Sequence, residues 1–301
     1  MKFLVFGSLN IDHVYRLKQL VREGETVQAS SHEALAGGKG LNQAVALSRA
    51  GQRVCFAGAL GPDGDFLKRQ LEEAGIDTKH LITVSDPTGH AVIQVDDAGR
   101  NSIIVFGGAN HAVTPAMIEK TLSDFGEGDW LLMQNEISGG RTLLESAAKK
   151  GMRVAFNPSP DPAGARAWPL ERAELLIFNE LEGEELSGES EPERMLDRLL
   201  DRCPKSRLVL TLGEKGSVFA DASRRLYQSA FPVRAVDTTA AGDTFTGFLL
   251  AALARGEAAA KALRTASAAA ALAVSRPGAT PSIPTAEETE AFLKQSEQSG
   301  Q

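Results

Sequence analysis

A single aspartate stands where a polar turn becomes an apolar helix, in the C-terminal third of the chain. Residues 237–245 read DTTAAGDTF, and the apolar stretch FTGFLLAALARG continues from there. The partial positive charge of exposed amides at a helix start favours an anion such as Asp243. Because Ala240, Ala241 and Gly242 leave their backbone N–H groups unobstructed, a second anion could approach the same helix end closely. The motif predicts an anion site.

A glycine-rich stretch, AGGKGLNQA at residues 36–44, holds the next candidates. Its simplest interpretation is a turn before a helix that begins near Leu41, since such turns need left-handed backbone conformations. The spacing is not that of a phosphate-binding loop, because Lys39 is followed by Gly40 and not by serine or threonine. The other interpretation is a loop of close backbone approach, with Lys39 and Asn42 placed to bind several hydroxyl groups.

The segment NELE, residues 179–182, has two interpretations that are compatible with each other. Asn179 as an N-cap and Glu182 three residues later form a capping box at a helix start. The same two side chains could face the phosphates of a nucleotide and a hydrated magnesium ion, which takes oxygen ligands and keeps several waters.

The remaining polar candidates each have an ordinary structural interpretation as well. Asn10 and Asp12 could end a strand with an Asx turn, and Glu136 could be a surface carboxylate. The segment TLGEKG, residues 211–216, could be a hairpin loop, and Asp237 could be another carboxylate at a helix start.

The elements that must position these side chains alternate along the chain. Short β-branched or aromatic runs such as FLVFG, VCFAGALG and RLVLTLG alternate with longer helical patterns such as AVALSRAG and FLKRQLEEAG. This alternation is typical of βαβ units around a mostly parallel sheet. Polar clusters follow several of the runs directly, and ligands of such sheets bind beyond the carboxyl ends of the strands. We therefore expect these clusters to share one cleft.

Two stretches, residues 13–35 and 86–106, break the alternation. Both have the pattern of short strands, and a DDAG turn lies between Val95 and Arg100. Together they resemble one small antiparallel sheet. We expect a β flap that is inserted twice into a single α/β body, residues 1–301, and that covers a site.

Composition restricts the classes of function. With 301 residues, the chain is long enough for one large domain or two ordinary ones. The formal net charge of -7 argues against sequence-independent nucleic-acid binding, which needs a basic surface. Two cysteines and five histidines show neither a disulfide framework nor zinc-ligand spacing. Small molecules are the better candidate partners.

The apolar segments indicate a cytoplasmic protein. The N-terminal sequence MKFLVFGSLNIDHV has an apolar run too short for a signal peptide. No other stretch has the length and apolar character of a membrane span, so we expect no membrane association.

Several motifs together resemble those of the ribokinase-like carbohydrate kinases: GSLNID, GGKGLNQA, LLMQNE, NPSP, IFNELE, TLGEKG, VDTTAAGDTF and SRPGATPS. They occur in the family's order between residue 7 and about residue 282, and AAGDTF with GGKGLNQA is highly specific. The resemblance implies a three-layer α/β/α ribokinase-like fold, with a mostly parallel central sheet of nine or so strands and a small β-sheet lid.

The resemblance also implies a reaction, the ATP-dependent phosphorylation of D-ribose to D-ribose 5-phosphate. Asp243 is implied as the general base, and the backbone amides of Ala240, Ala241 and Gly242 as an anion hole for the migrating group. ATP is implied as co-substrate with Mg²⁺, together with a monovalent cation, K⁺, and a homodimer formed through the lid.

Further site residues follow from the matching positions of the family's motifs. The residues implied to bind the sugar are Asn10, Asp12, Gly38, Lys39, Asn42, Glu136 and Asp243. The residues implied to bind the nucleotide are Asn179, Glu182, Thr211, Gly213, Gly216, Gly242 and, on the adenine side, Ser267. The monovalent cation site is implied at Asp237, Thr239, Ala273, Arg276, Gly278 and Ser282, mostly through backbone carbonyls. Such an ion would order the loop before Ala240.

Three other functions stay open on the sequence alone. A kinase for another sugar or a nucleoside could use the same scaffold, and Asn135 could contact the sugar or nothing. A non-catalytic sugar-binding regulator is disfavoured because Asp243 and the small residues before it are intact. A dinucleotide-dependent oxidoreductase lacks its G-x-G-x-x-G motif after the first strand. Asn10 and Asp12 disfavour a deoxy sugar, since an unpaired buried polar group costs about 1–3 kcal/mol.

Overall fold

Strands and helices alternate along most of the computed structural model, which describes residues 1–298. The strands in chain order are β1 Phe3–Phe6, β2 Asn10–Leu17, β3 Ser31–Gly37, β4 Val54–Leu60, β5 Asp77–Thr83, β6 Gly89–Asp96, β7 Asn101–Phe106, β8 Trp130–Gln134, β9 Arg153–Asn157, β10 Leu175–Asn179, β11 Arg207–Thr211, β12 Ser217–Ala220 and β13 Arg225–Gln228. The α-helices are α1 Lys39–Arg49, α2 Asp65–Glu73, α3 Pro115–Leu122, α4 Gly140–Lys149, α5 Pro162–Ala165, α6 Glu180–Ser187, α7 Pro192–Arg202, α8 Ala241–Ala254, α9 Ala259–Val274 and α10 Ala286–Gln298. Among residues 1–298, none of the helices is both long and apolar enough to cross a membrane.

Nine strands form one central sheet in the order β13-β12-β11-β10-β9-β8-β1-β4-β5. Neighbouring strands are parallel from β5 to β11, and only the pairs β11–β12 and β12–β13 are antiparallel. Phe3 and Val5 of β1 belong to one apolar core, and Leu4 and Phe6 belong to a second core on the opposite face. Because helices cover both faces, the strands are apolar on both sides. The predicted three-layer α/β/α fold is confirmed.

A second, smaller sheet has four strands in the order β3-β2-β6-β7. The outer pairs β2–β3 and β6–β7 are antiparallel, but the central pair β2–β6 is parallel. The prediction of an antiparallel sheet is therefore wrong at its centre. The reason is topological. Strand β2 follows β1 and β6 follows β5, and β1 and β5 run in the same direction in the central sheet. Strands β2 and β6 therefore leave the central sheet in the same direction and pair in parallel.

Helices α1 and α8 lie in close contact, and this contact fixes the positions of their N-terminal turns relative to each other. A Cβ atom added at Gly247 of α8 would lie 2.5 Å from the Cβ atom of Ala46 and 2.7 Å from the backbone nitrogen of Leu47 on α1. Only glycine permits this approach. The N-terminal turns of the two helices, GGKG and AAGD in the sequence, are thereby brought to one place.

We predict that Gly247→Ala destabilises the protein. An exposed helical Gly→Ala change would gain about 1 kcal/mol from helix propensity, whereas overpacking against the α1 backbone costs roughly 1–3 kcal/mol. The free energy of unfolding in urea measures the balance, which we expect to be a net loss. The matched control is Gly126→Ala, because a Cβ atom at Gly126 has no neighbour within 4 Å. Equal stability of the two variants would contradict the packing argument.

Candidate active site

The glycine-rich loop before α1 lies directly against the loop that follows β1. A Cβ atom at Gly40 would lie 2.4 Å from the backbone nitrogen of Ser8, and one at Gly7 would lie 2.8 Å from the Cα atom of Gly40. The backbone nitrogen of Leu41 donates to the Ser8 carbonyl at 3.1 Å. Gly38, with φ +95, occupies a left-handed conformation that favours glycine. The loop of close backbone approach predicted from the sequence is therefore present, together with the turn.

Glu136 joins this loop to the small sheet. Its Oε2 atom accepts a hydrogen bond from the Ser8 hydroxyl and another, at 3.1 Å, from the backbone N–H of Lys39. Burial, and after it the charge of Glu136, raises the pKa of Asp12 from 3.8 to about 7. Asp12 and Glu136 are thus close enough for the ionisation of one to affect the other.

The ammonium group of Lys39 lies among carboxylates from three other elements. Burial by itself would lower the pKa of Lys39, but the charges of Asp243, Glu136 and Glu182 outweigh it and raise that pKa. Lys39 is therefore a stable cation. Its side chain thus lies near residues that were predicted for three places: Glu136 for the sugar site, Asp243 for the reaction centre and Glu182 for the nucleotide site.

A cavity of about 640 Å³ opens beside Glu136 and lies within the usual size range of small-molecule pockets. Asn10 and Asn135 line it, and Val105 of the small sheet forms part of one wall. The Oδ1 atom of Asn10 accepts a hydrogen bond of 2.8 Å from the buried amide of Asn110. The side-chain amide of Asn135 donates to the backbone carbonyl of Asp161, so this residue has a partner at the cavity edge.

Asp243 lies in the first turn of α8 and is only 7% exposed. Polar groups surround its carboxylate: Oδ1 accepts from Gln43 Nε2 at 2.9 Å, and Oδ2 accepts from Asn42 Nδ2 at 3.2 Å. The oxygen of the Asn42 side chain accepts from the Thr280 hydroxyl at 3.1 Å, so both ends of this amide are engaged. The carboxylate is oriented by hydrogen bonds and is not enclosed in apolar packing.

The start of α8 exposes backbone where the sequence predicted an anion site. Ala240, with φ 59, is the one non-glycine residue in positions 1–298 that adopts a left-handed conformation, and no described side chain caps the helix there. Gly242 is exposed, and a Cβ atom on it would have no neighbour within 4 Å. The Ala241 N–H already donates to the Thr238 carbonyl at 3.3 Å. The amide of Gly242 is therefore the most accessible of the predicted donors.

The nucleotide candidates lie at the ends of β10 and β11, two adjacent parallel strands. Asn179 and Thr211 are register partners at these ends. Asn179 and Glu182 form the predicted capping box, with hydrogen bonds of 2.9 and 3.0 Å. Residues 211–216 form the predicted hairpin loop between β11 and β12, in which Gly213 and Gly216 have φ values of +58 and +108. The structural interpretations of both segments are confirmed.

The residues predicted to bind a monovalent cation lie on the loop before α8 and on the last turn of α9 with the segment after it, and the carboxylate of Asp237 connects the two. Asp237 Oδ1 accepts from the N–H and the hydroxyl of Thr239, and Oδ2 accepts from the Gly278 N–H at 2.9 Å. Burial would raise the pKa of Asp237, but the hydrogen bonds from Thr239 and Gly278 lower it overall. The Ala273 carbonyl accepts from the Arg276 N–H at 3.1 Å.

Two more candidates are buried side chains on or after α9. Ser282 is fully buried, and its hydroxyl donates to the Ala279 carbonyl at 2.7 Å. Ser267 is 7% exposed and lies within α9 itself.

The sequence did not predict a group of buried amide side chains that lies next to Asp243. Gln43, Gln134 and Asn157 are buried and hydrogen-bonded to one another. A signal was present, because Gln134 and Asn157 are the last residues of β8 and β9, where polar residues follow apolar runs. Gln43 adjoins Asn42 in the glycine-rich motif.

Comparisons with known proteins find similar sequences and structures over nearly the whole chain. Residues 1–286 match the pfkB family of carbohydrate kinases. The chain is 36% identical over 300 residues to a ribokinase of Haemophilus influenzae, which covers 96% of this chain and 97% of that relative. A ribokinase structure from Thermotoga maritima is 37% identical, has a TM-score of 0.87 and covers 97% and 99% of the two chains. The structure of Arabidopsis thaliana ribokinase complexed with ribose and ATP is 30% identical, has a TM-score of 0.83 and covers 97% and 98%.

We predict that Asp12 makes stability fall as pH rises. Because its pKa is about 7 in the folded protein and 3.8 unfolded, the folded state binds the proton more tightly, and this contribution is lost between about pH 4 and pH 7. Asp12→Asn should therefore become progressively more stable relative to wild type across that interval, in urea unfolding without sugar. Asp201→Asn, at an exposed position of α7, is the control. A difference that does not vary with pH would contradict the raised pKa.

Proposed function

The chain belongs to the pfkB family of carbohydrate kinases, and we propose that it transfers the γ-phosphoryl group of ATP to the 5-hydroxyl group of D-ribose. The observation that carries the proposal is the hydrogen-bonded carboxylate of Asp243 at the same helix start as the exposed backbone of Gly242. Two of the residues predicted to bind the sugar, Asn10 and Glu136, line a cavity. Similarity to ribokinases over nearly the whole chain supports the choice of sugar.

In the proposed reaction Asp243 acts as the general base. The 5-hydroxyl group gives its proton to Asp243 as its oxygen bonds to the γ-phosphorus, and the bond from that phosphorus to the bridging oxygen of ADP breaks. Both oxygens of Asp243 accept amide N–H groups, which suits the ionised form of a base.

The proposed anion hole at the start of α8 stabilises the migrating group. The Gly242 amide is accessible, while the Ala241 amide would exchange its long bond to the Thr238 carbonyl for a phosphoryl oxygen, and Ala240 sets the turn. One donor of this kind contributes about 3 kcal/mol in other enzymes. Small residues are needed here because any larger side chain would occupy the path of the phosphate.

We assign the sugar hydroxyls to Asn10 and Glu136, which line the cavity, and to residues close to Glu136. Asn10, Asp12, Glu136, Lys39 and the backbone near Gly38 offer both donors and acceptors, as a polyhydroxylated ligand requires. Asn42 holds Asp243 and adjoins the same position.

The nucleotide is assigned to the ends of β10 and β11 and to α9. Asn179, Glu182, Thr211 and the backbone of Gly213 and Gly216 would face the phosphates and ribose of ATP. Ser267 would lie on the adenine side. The carboxylate of Glu182 and the nearby oxygen atoms suit a Mg²⁺ ion bound through water. When bound, Mg²⁺ neutralises charge on the β- and γ-phosphate oxygens.

The two segments joined by Asp237 are assigned to a monovalent cation, K⁺. The donor set fits such an ion, because it combines a carboxylate of lowered pKa with backbone carbonyls. The side chains of Thr239 and Ser282 and the backbone of Ala273, Arg276 and Gly278 complete the assignment. Its effect on the reaction would be indirect, through the order of the loop that leads to Ala240.

We further infer that residues 1–301 act as one kinase unit in the cytoplasm, with the small sheet as a lid over the sugar. Ile103, Ile104, Val105 and Phe106 of β7 are each more than half exposed, which supports a homodimer formed through this sheet.

The reaction is tested by ADP release with D-ribose, 2-deoxyribose, fructose and a nucleoside as acceptors, in K⁺ and in a K⁺-free buffer. We expect the highest kcat/KM for ribose and lower activity without K⁺. Asp243→Asn should keep ribose binding and lose turnover by about 10²–10⁴-fold, because the base is gone. A higher kcat/KM for fructose or a nucleoside would contradict the choice of ribose, and unchanged turnover of Asp243→Asn would contradict its role.

The anion hole is tested by Gly242→Val. We expect unchanged stability, since the new side chain enters open space, and a loss of about 10²-fold in kcat/KM for ATP, because that space is the proposed phosphate site. Gly126→Val is the control, because a Cβ atom at Gly126 also has no neighbour within 4 Å and Gly126 precedes the N-terminal end of β8, away from the carboxyl ends of the parallel strands. Equal kinetics of the two variants would exclude an anion hole at the α8 start.

A further inference from the structure

A chain of buried amide side chains connects the ends of parallel strands to the carboxylate of Asp243. Gln43 of α1 is its centre and has no solvent exposure. Its Nε2 atom donates to Asp243 Oδ1 at 2.9 Å and to Asn157 Oδ1 at 3.2 Å, and its Oε1 atom accepts from Gln134 Nε2 at 2.6 Å. The Nδ2 atom of Asn157 donates to the backbone carbonyl of Ile177 at 2.9 Å.

The orientations of Asn157 and Gln43 are determined by their neighbours, whereas the Oε1 atom of Gln134 is buried without a described partner. The Ile177 carbonyl can only accept, so Asn157 must turn its amino group toward it and its oxygen toward Gln43. Gln43 must then present its own amino group to Asn157, and the second hydrogen of that group meets Asp243. The remaining oxygen of Gln43 needs a donor, which Gln134 supplies. Gln43 can therefore donate to Asp243, but cannot turn to accept from it.

A fixed donor has a specific effect on a carboxylate. A hydrogen bond to the charged form stabilises that form, and little water can replace the donor where the carboxylate is 7% exposed. The bond to Oδ1 is also the shorter of the two that Asp243 accepts from amides. Removing it would leave the ionised carboxylate with the 3.2 Å contact from Asn42 as its remaining amide partner.

We propose that Gln43 is a positioning residue, which holds the Asp243 carboxylate in one orientation toward the sugar hydroxyl through its bonds to Gln134 and Asn157. This inference rests on the proposed role of Asp243 as the base. It assigns Gln43 no contact with either substrate. The side chain should therefore affect the rate of transfer and its pH dependence, and not the binding of ribose.

The test is Gln43→Met, which keeps nearly the same volume and removes the amide. We expect kcat to fall by about ten- to a hundred-fold, as for loss of a hydrogen bond to a charged group, with KM for ribose nearly unchanged. The acid limb of the pH profile of kcat should move to higher pH, because the ionised carboxylate loses a hydrogen-bond donor. Gln70→Met, on α2, is the control for the substitution itself.

Gln43→Glu is the second variant, because it also retains the side-chain volume and stays polar. It replaces the donor with an acceptor beside Asp243, so the acid limb should move further than in Gln43→Met. If thermal unfolding shows that Gln43→Met is not folded, Gln43→Glu provides the same measurement of kcat and its pH profile. A normal kcat and an unmoved acid limb in the folded variant would overturn the positioning role.

The variant Asp243→Asn distinguishes a failure of the positioning role of Gln43 from a failure of the proposed function. If Asp243→Asn is inactive while a folded Gln43 variant has wild-type kcat and pH profile, only the positioning role is wrong. If Asp243→Asn keeps wild-type turnover, the assignment of the base is wrong, and the role of Gln43 is rejected with it.

Discussion

The burial of the Asp243 carboxylate is the constraint on which the arrangement of the cleft depends. A carboxylate removed from water is strongly unfavourable unless other hydrogen-bond donors replace the water. Asp243 obtains two such donors, and both come from consecutive residues of α1, Asn42 and Gln43. Helices α1 and α8 must therefore keep a fixed distance, which the direct contact at Gly247 sets. The hydrogen bonds that Asp243 accepts and the packing of α1 against α8 therefore depend on the same few residues.

The charged groups of the site also depend on one another. Lys39 is a cation among the carboxylates of Asp243, Glu136 and Glu182, and their charges outweigh the effect of its burial. Asp12, on the small sheet, has no comparable cation, and its pKa is raised by burial and by Glu136. Three carboxylates around the ammonium group of Lys39 leave an excess of negative charge, and Asp12 adds a further carboxyl group whose pKa is raised.

Features that depend on neighbours in the chain could be predicted from the sequence. The βαβ alternation, the capping box of Asn179 and Glu182, and the hairpin loop at 211–216 are of this kind, and all are present. The contact of Gln43 with Asp243 could not be predicted, because periodicity shows that a residue is buried but not which distant group it meets. The parallel pairing of β2 with β6 was missed for a similar reason, since it depends on the directions of β1 and β5 in another sheet. The roles of the site residues stay predictions.

The parallel pair at the centre of the small sheet also affects the order in which the protein folds. A local hairpin forms from adjacent residues, but β2 and β6 lie side by side only after β1, β4 and β5 have brought their starting points together. Contacts between segments so far apart in sequence carry a large loop-closure cost and form slowly. The small sheet, which contributes Val105 to the wall of the cavity, is consequently expected to form after the central sheet, so the cavity is completed late in folding.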